Sequence, residues 1–358
     1  MTRNPGPTSG TSMTAFRIHE FGGPDALQEE RVVVPEPGLG QVLVAVAYCG
    51  VCRHDLLTRS GAFPRAQMPV TLGHQVSGVV AAVGAGASAF AVGDRVMSMI
   101  FSGCGACDQC LSGQEALCLR QTPQFLGEDR DGGYAEYVVI EDHSTVALPD
   151  QVSLRDAAIA TCTLGTAYHA LFGRGGLGAD EKVLITGASG GVGLHAIAIA
   201  RAGGATVIGA VSSKRGARAA TEMGADHVIV SPERRFAAEL RERLGAQADL
   251  VLEIVGAQTL RESMHAVRPG GRIVVLGNVE GKEVSIPPAY LILKEISLIG
   301  TKSCTTEEMR RLLDLLATGE IRADVNEVVS LDQAPEVHRR MESGESVGRI
   351  VLEVGKHE

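Results

Sequence analysis

The 358-residue sequence has no tryptophan and few other aromatic residues, 4% of the chain in all, while glycine is plentiful at 44 residues. That balance suits an α/β protein with many tight strand–helix turns. There is no excess of positive charge: 33 Lys and Arg stand against 42 Asp and Glu, a net charge of −9, which argues against a general nucleic-acid or anionic-membrane surface. No apolar run approaches the roughly 18–20 residues of a membrane span. The opening stretch, MTRNPGPTSGTSM, lacks a hydrophobic core segment, so residues 1–13 are expected to be a disordered leader and not a signal peptide, and the expected location is cytoplasmic. What remains is ordinary globular composition, 45% apolar and 21% charged, in a chain long enough for two or three domains.

Four of the eight cysteines fall within GCGACDQCLSGQEALC, residues 103–118. Disulfides, a metal and redox chemistry are the three explanations. A reducing cytosol disfavours disulfides, and a chain this long does not need staples. A redox Cys-x-x-Cys normally opens a helix in a thioredoxin-like unit, which nothing around this segment suggests. Cys104, Cys107 and Cys110 are each separated by two residues and Cys118 follows after seven. Thiolates so spaced can converge on one ion at about 2.3 Å, completing a closed tetrahedral shell. A structural zinc is the expectation.

The early chain reads as short strands broken by Gly and Pro, QVLVAVAYCG and HQVSGVVAAVG among them, so residues 14–152 are expected to form a mostly β domain with the cysteine lobe at about 102–120. From residue 153 to 296 apolar strands alternate with amphipathic helices: KVLITGA, GGVGLHAIAIARAGG, TVIGAV, KRGARAATEMG and onward. That alternation gives a parallel sheet covered on both faces. Residues 297–358, a charged helix and two further strands among them, are expected to return to the first domain.

KVLITGASGGVGLHAIAIA is a strand, a Gly-rich turn and a helix in immediate succession. Gly187 permits the tight turn, Gly190 and Gly191 let backbone approach a pyrophosphate, and Gly193 lets the helix pack on the strand. With Val192 they form a helix N-terminus suited to phosphate. Gly277 and Asn278, in GGRIVVLGN, join the expected cofactor contacts. A carboxylate normally ends the second strand to bind a ribose 2′-hydroxyl; here Val211 stands there, followed by Ser212, Ser213, Lys214 and Arg215. The missing acid and the paired cations favour NADP(H) over NAD(H).

Three further residues, Cys52 in CGVCRHDLL, His74 in TLGHQVSG and Cys162 in IATCTLGTAYHAL, stand where the zinc-containing medium-chain dehydrogenase/reductases carry metal ligands. The four-cysteine lobe, the GASGGVG turn and the closing VGRIVLEV extend this resemblance from about Ala15 to Val354. The resemblance implies a GroES-like mostly-β catalytic domain split around a Rossmann doubly wound domain, with the active site in the cleft. It implies a catalytic zinc on Cys52, His74 and Cys162 with one open position, two zinc ions per chain in all, and a homo-oligomer, dimer or tetramer, acting on a small molecule. Asp55 should support a ligand or nearby backbone, Thr166 should lie near the nicotinamide, and Arg53 and Arg349 near the cofactor phosphates.

The sequence also departs from that family. Gln75 replaces the glutamate usual after the ligand histidine, His54 stands at the hydroxyl that often starts a proton relay, and Leu57 replaces the relay histidine. His54 either takes the proton itself or merely hydrogen-bonds backbone. The ligand set favours a zinc-dependent, NADP(H)-using alcohol dehydrogenase or carbonyl reductase. LLTRSGAFP and GASGGVG look more like quinone and enoyl reductases, and AYLILKEISLIGTKSCTTEEM is similar to acryloyl-CoA reductases, which makes C=C reduction the alternative. A non-catalytic NADPH-binding protein is a third possibility.

Overall fold

The computed structural model describes residues 10–63, 65–345 and 348–355. Most of the expected leader 1–13 lies outside them, but its end differs from expectation: the strand Ser12–Ile18 has already begun, and Met13 packs with Val34, Leu43 and Ala135. The chain divides into two compact units. The first runs to Cys162 and takes in Thr305–Thr318 and the chain from Ala323 on; the second is Thr163–Cys304 with Gly319–Arg322.

The first unit is the GroES-like domain. Its spine is the strand Gln41–Gly50, whose run QVLVAVAYCG is buried almost throughout. Such a run tolerates no solvent-facing side, and it has none. The strand pairs antiparallel with Val76–Val83, Tyr137–Glu141 and Arg349–Glu353 within a seven-stranded sheet. The chain's end thus joins this sheet, with Leu352 opposite Cys49, and Val325–Ser330 pairs parallel beyond it. Phe16, Ile18, Leu72, Val76, Tyr134, Ile140 and Leu352 share one core. The glycine before His74 is required: Gly73 has φ +97°, and a Cβ there would stand 2.5 Å from the Tyr134 ring and 2.8 Å from Cys49 Sγ.

The second unit is the Rossmann domain. Its six parallel strands lie in the order His227–Val230, Thr206–Val211, Lys182–Thr186, Ala248–Glu253, Val267–Val275 and Ser297–Gly300. In chain order that is 3-2-1-4-5-6, the dinucleotide-binding arrangement. Both expected boundaries of this unit differ. Residues 153–162 belong to the first unit, where Ser77 Oγ donates to the Leu154 carbonyl at 2.5 Å and Thr161 Oγ1 to the Ser98 carbonyl at 2.6 Å. At the other end, Ser297–Gly300 supplies the sixth strand, so the unit continues past residue 296.

Candidate functional sites

The helix Arg53–Ser60, which was not expected from the sequence, builds the first site. Cys52 is its N-cap, and Asp55 Oδ2, three residues on, accepts the Cys52 backbone N–H at 2.8 Å. Gly61, at φ +81°, ends the helix. The other Asp55 oxygen holds His74 Nδ1 at 2.8 Å, which leaves Nε2 of that ring buried and, among the described residues, without a hydrogen-bond partner. The ligand atoms of Cys52, His74 and Cys162 all lie within 4.8 Å of one another, and the two sulfurs are 3.9 Å apart. Ligands about 2.3 Å from a tetrahedral centre are separated by about 3.8 Å, so the pair spans one edge of such a shell. Two cysteines, a histidine with a supported ring and an orphaned buried nitrogen fit a zinc ion with one position left open.

The electrostatics agree. A hydrogen bond from the Cys162 thiol, against the opposing effect of burial, holds the Cys52 thiol well below its usual range, with His74 and Arg349 contributing. Cys162 is raised by that same bond and by burial. Burial pulls the His74 imidazole down, but the Asp55 carboxylate overrides it and raises it to about 10. The pocket therefore favours a thiolate at Cys52 while Cys162 keeps its proton. Gln75 has both ends engaged: Nε2 donates to the Gly50 carbonyl at 3.2 Å and Oε1 accepts from Arg349 at 3.1 Å. Arg349 is accordingly buried beside this site, while Arg53 is exposed at the helix start.

His54 bonds to a partner that sequence inspection did not find. Its Nε2 lies 2.7 Å from Glu128 Oε1, which also accepts from Thr58 Oγ1 at 2.6 Å. Burial would raise the Glu128 carboxyl, but the bonds from His54 and Thr58 hold it below its ordinary value. The His54 ring stacks on Phe125 and Phe63, with centroids 4.4 and 5.1 Å away, and meets His74 edge-on at 5.4 Å. No spacing in LGEDRDGG marks Glu128 in advance.

The four cysteines of the lobe form a second cluster, their sulfurs all within 4.8 Å. Cys107 and Cys110 are 3.5 Å apart; the pairs Cys104–Cys110 and Cys107–Cys118 are each 3.9 Å apart. These separations are close to the roughly 3.8 Å that a tetrahedral zinc shell would require and far longer than the roughly 2.05 Å of a disulfide. Backbone N–H groups of Cys104 and Ala106 point at the sulfurs of Cys118 and Cys104. Backbone donors at Leu119 and Cys110 lower Cys107 to about 6, while burial and the bond to Cys107 push Cys110 up to about 12.

The third site lies in the Rossmann unit. Gly187, at φ +60°, turns the chain out of the first strand, and Gly190 caps the helix Gly191–Ala202. A Cβ on Gly193 would stand 2.4 Å from the Gly187 carbonyl oxygen, so the close packing demands glycine. Val192 is half-buried in the first helical turn. Val211 closes the second strand, buried, and Ser212, Lys214 and Arg215 follow it exposed; Ser213 caps the next helix through Gly216 N–H at 3.1 Å. Gly277 and Asn278 follow the fifth strand, where Asn278 Nδ2 donates to the Lys282 carbonyl at 2.9 Å. Thr166 is half-buried in the same unit. Glu253, also unforeseen, is wholly buried at the end of the fourth strand and accepts from Thr186 Oγ1 at 2.8 Å, Thr259 Oγ1 at 2.6 Å and Gly256 N–H at 2.9 Å. It ties the strand entering the Gly-rich turn to the neighbouring loop.

Known proteins share this architecture. Residues 38–150 match the alcohol dehydrogenase GroES-like domain and residues 191–318 the zinc-binding dehydrogenase domain. The chain belongs to the medium-chain dehydrogenase/reductases, a family of oxidoreductases. It is 35% identical to an acryloyl-coenzyme A reductase of Sulfurisphaera tokodaii over 90% of this chain and 95% of that protein. It is likewise 35% identical to an alcohol dehydrogenase of Geobacillus stearothermophilus over 96% of this chain and 100% of that one. The crystal structure of AibC superposes with a TM-score of 0.92 at 40% identity, covering 97% of each chain. No described helix is long and apolar enough to cross a membrane.

Proposed function

We propose that this oxidoreductase uses NADP(H) and a zinc ion on Cys52, His74 and Cys162 to interconvert a small alcohol and its carbonyl compound. The carrying observation is the convergence of those three residues with the unclaimed His74 Nε2 among them, a set one ligand short of a closed tetrahedral shell. A zinc ion held there would supply Lewis acidity to a substrate oxygen, and a nicotinamide cofactor would supply or accept the hydride. Asp55, bonded to Nδ1, fixes the His74 ring so that Nε2, once it gives up its proton, can bind the metal. His54, fixed by Glu128 and the two phenylalanines, is the group that holds or releases the alcohol proton. Cys104, Cys107, Cys110 and Cys118 hold a second, structural zinc. A homo-oligomer in the cytoplasm is the expected setting.

A second reading is NADPH-dependent reduction of an enoyl thioester, favoured by the similarity to an acryloyl-coenzyme A reductase together with the engaged Gln75 and the absent Ser/Thr–His relay. Zinc-loaded protein assayed with a short alcohol plus NADP⁺, and with acryloyl-CoA or crotonyl-CoA plus NADPH, separates the two. Alcohol oxidation is the expected result; turnover of the thioesters alone would transfer the assignment to the second reading. NADPH binding without turnover of either would point to a non-catalytic NADPH-binding protein.

The cofactor preference has its own test. Lys214→Ala with Arg215→Ala should weaken NADPH binding by about 1–3 kcal/mol, the range of hydrogen bonds to charged groups, and leave NADH nearly unchanged. Binding titrations followed by nucleotide fluorescence read both values. An equal loss for the two nucleotides would remove the 2′-phosphate from the argument.

A further inference from the structure

The Asp55 carboxylate reaches beyond His74 and Cys52. Its Oδ2 lies 3.4 Å from the Tyr134 hydroxyl, which lies 3.1 Å from Nε2 of His338, a residue of the helix Ala334–Ser343. The side chains of Asp55, His74, Tyr134 and His338 are all buried, none more than 3% exposed. Nδ1 of His338 has no hydrogen-bond partner among the described residues. That orphan sets the direction of the chain. A hydroxyl has one proton to donate. Were Tyr134 to give it to His338, the ring proton would sit on Nδ1, a buried donor left unsatisfied, which is costly. With the proton on Nε2, His338 donates to Tyr134, Tyr134 donates to Asp55, and only a lone pair remains unpaired. Burial keeps the His338 ring neutral, pulling it to about 4 against the pull of Asp55, with Arg59 adding to the effect. The Tyr134 ring also packs against Gly73, the residue before His74.

We infer that Tyr134 and His338 are positioning residues for the metal site: they fix the carboxylate plane of Asp55, which in turn fixes the His74 ring. The inference rests on the zinc reading given under Proposed function. Neither residue belongs to the ligand set, and both are remote in sequence from the helix that carries Asp55.

The experiment measures zinc release from loaded protein to a chelating dye, together with the visible absorption of the cobalt-substituted protein. Tyr134→Phe should speed release from the three-ligand site by on the order of 3–10-fold, below the 10–100-fold typical of losing a group bonded directly to a ligand. Release from the four-cysteine lobe should not change, and the cobalt d–d bands should shift. His338→Gln, which retains a side-chain N–H, should release zinc nearly as the parent does. Should the orphaned His338 prevent Tyr134→Phe from folding, the double variant Tyr134→Phe with His338→Leu removes both partners and should still release zinc as fast as predicted for the single variant. Two zinc ions in the parent with parental release from the three-ligand site in the Phe variants would overturn the inference. One zinc ion in the parent, held by the lobe, would instead overturn the metal reading and the inference with it.

Discussion

Cys162→Ser should reduce the zinc content from about two ions per chain to about one and slow carbonyl reduction by about 10³-fold or more, since Lewis-acid stabilisation worth several kcal/mol is lost. Serine offers a harder oxygen that stays protonated where the thiol would ionise. The serine hydroxyl can still donate to the Cys52 thiolate as the Cys162 thiol does, so the loss falls on the ligand set itself. His74 and Cys52 would then face the ion alone. The backbone at this position should hold, since Thr161 keeps its bond to the Ser98 carbonyl. NADPH binding should survive, because the Gly-rich turn lies in the other unit. Metal analysis, nucleotide titration and steady-state assay on one preparation check all three statements. Thioester reduction that persists after this metal loss would favour the enoyl-reductase reading, in which zinc need not touch the reacting atom.

The Rossmann unit is legible in sequence because its strands are buried on both faces. KVLIT, TVIGAV and ADLVLE are mostly apolar and almost wholly buried, and the glycines at 187 and 193 answer steric demands that fix residue type. The four-cysteine cluster is legible for a similar reason: its ligands are local, so spacing alone implies convergence. Cys52, His74 and Cys162 are different. They come from a helix cap, the segment before a strand and the π-helical stretch Ala160–Gly165 far along the chain, and only family resemblance joins them before the structure does. The helix Arg53–Ser60 is hidden because a cysteine is not an ordinary N-cap, although Asp55 at the third position and Gly61 at the end are usual signals. In the helix Pro288–Lys294 the apolar pattern is no guide to burial, since Ile292 and Leu293 are 71% and 83% exposed. Glu128, Glu253, Tyr134 and His338 leave no periodic trace at all. Each is a buried polar group whose partners include residues distant in the chain, and such pairings follow from tertiary packing rather than local pattern.

Cys107→Ser should empty the lobe of metal and melt it, while the catalytic ligands keep theirs. The lobe has little core: Leu111, Leu117 and Leu119 are 73%, 49% and 76% exposed, and its helix, Asp108–Leu111, is a single turn capped by Cys107 itself. Ordering a residue's backbone costs about 1–2 kcal/mol, which so little burial cannot offset over some twenty residues, so metal binding must supply the difference. Cys107 is the ligand whose thiolate the backbone stabilises most clearly, and serine would forfeit it. Limited proteolysis should therefore begin to cut within residues 103–120, with zinc falling from about two ions to about one. The base of the lobe should resist longest, where Phe101–Ser102 pairs with Gln124–Phe125 and Glu115 accepts from Ser144 Oγ and from Gly103 N–H at 3.4 Å. Phe125 also stacks on His54, so carbonyl reduction should fall modestly even though the three catalytic ligands remain bound to metal. NADPH titration should match the parent. A variant that still holds two zinc ions and resists cleavage, or a parent whose four thiols are oxidised to disulfides, would show that these cysteines are not there for zinc.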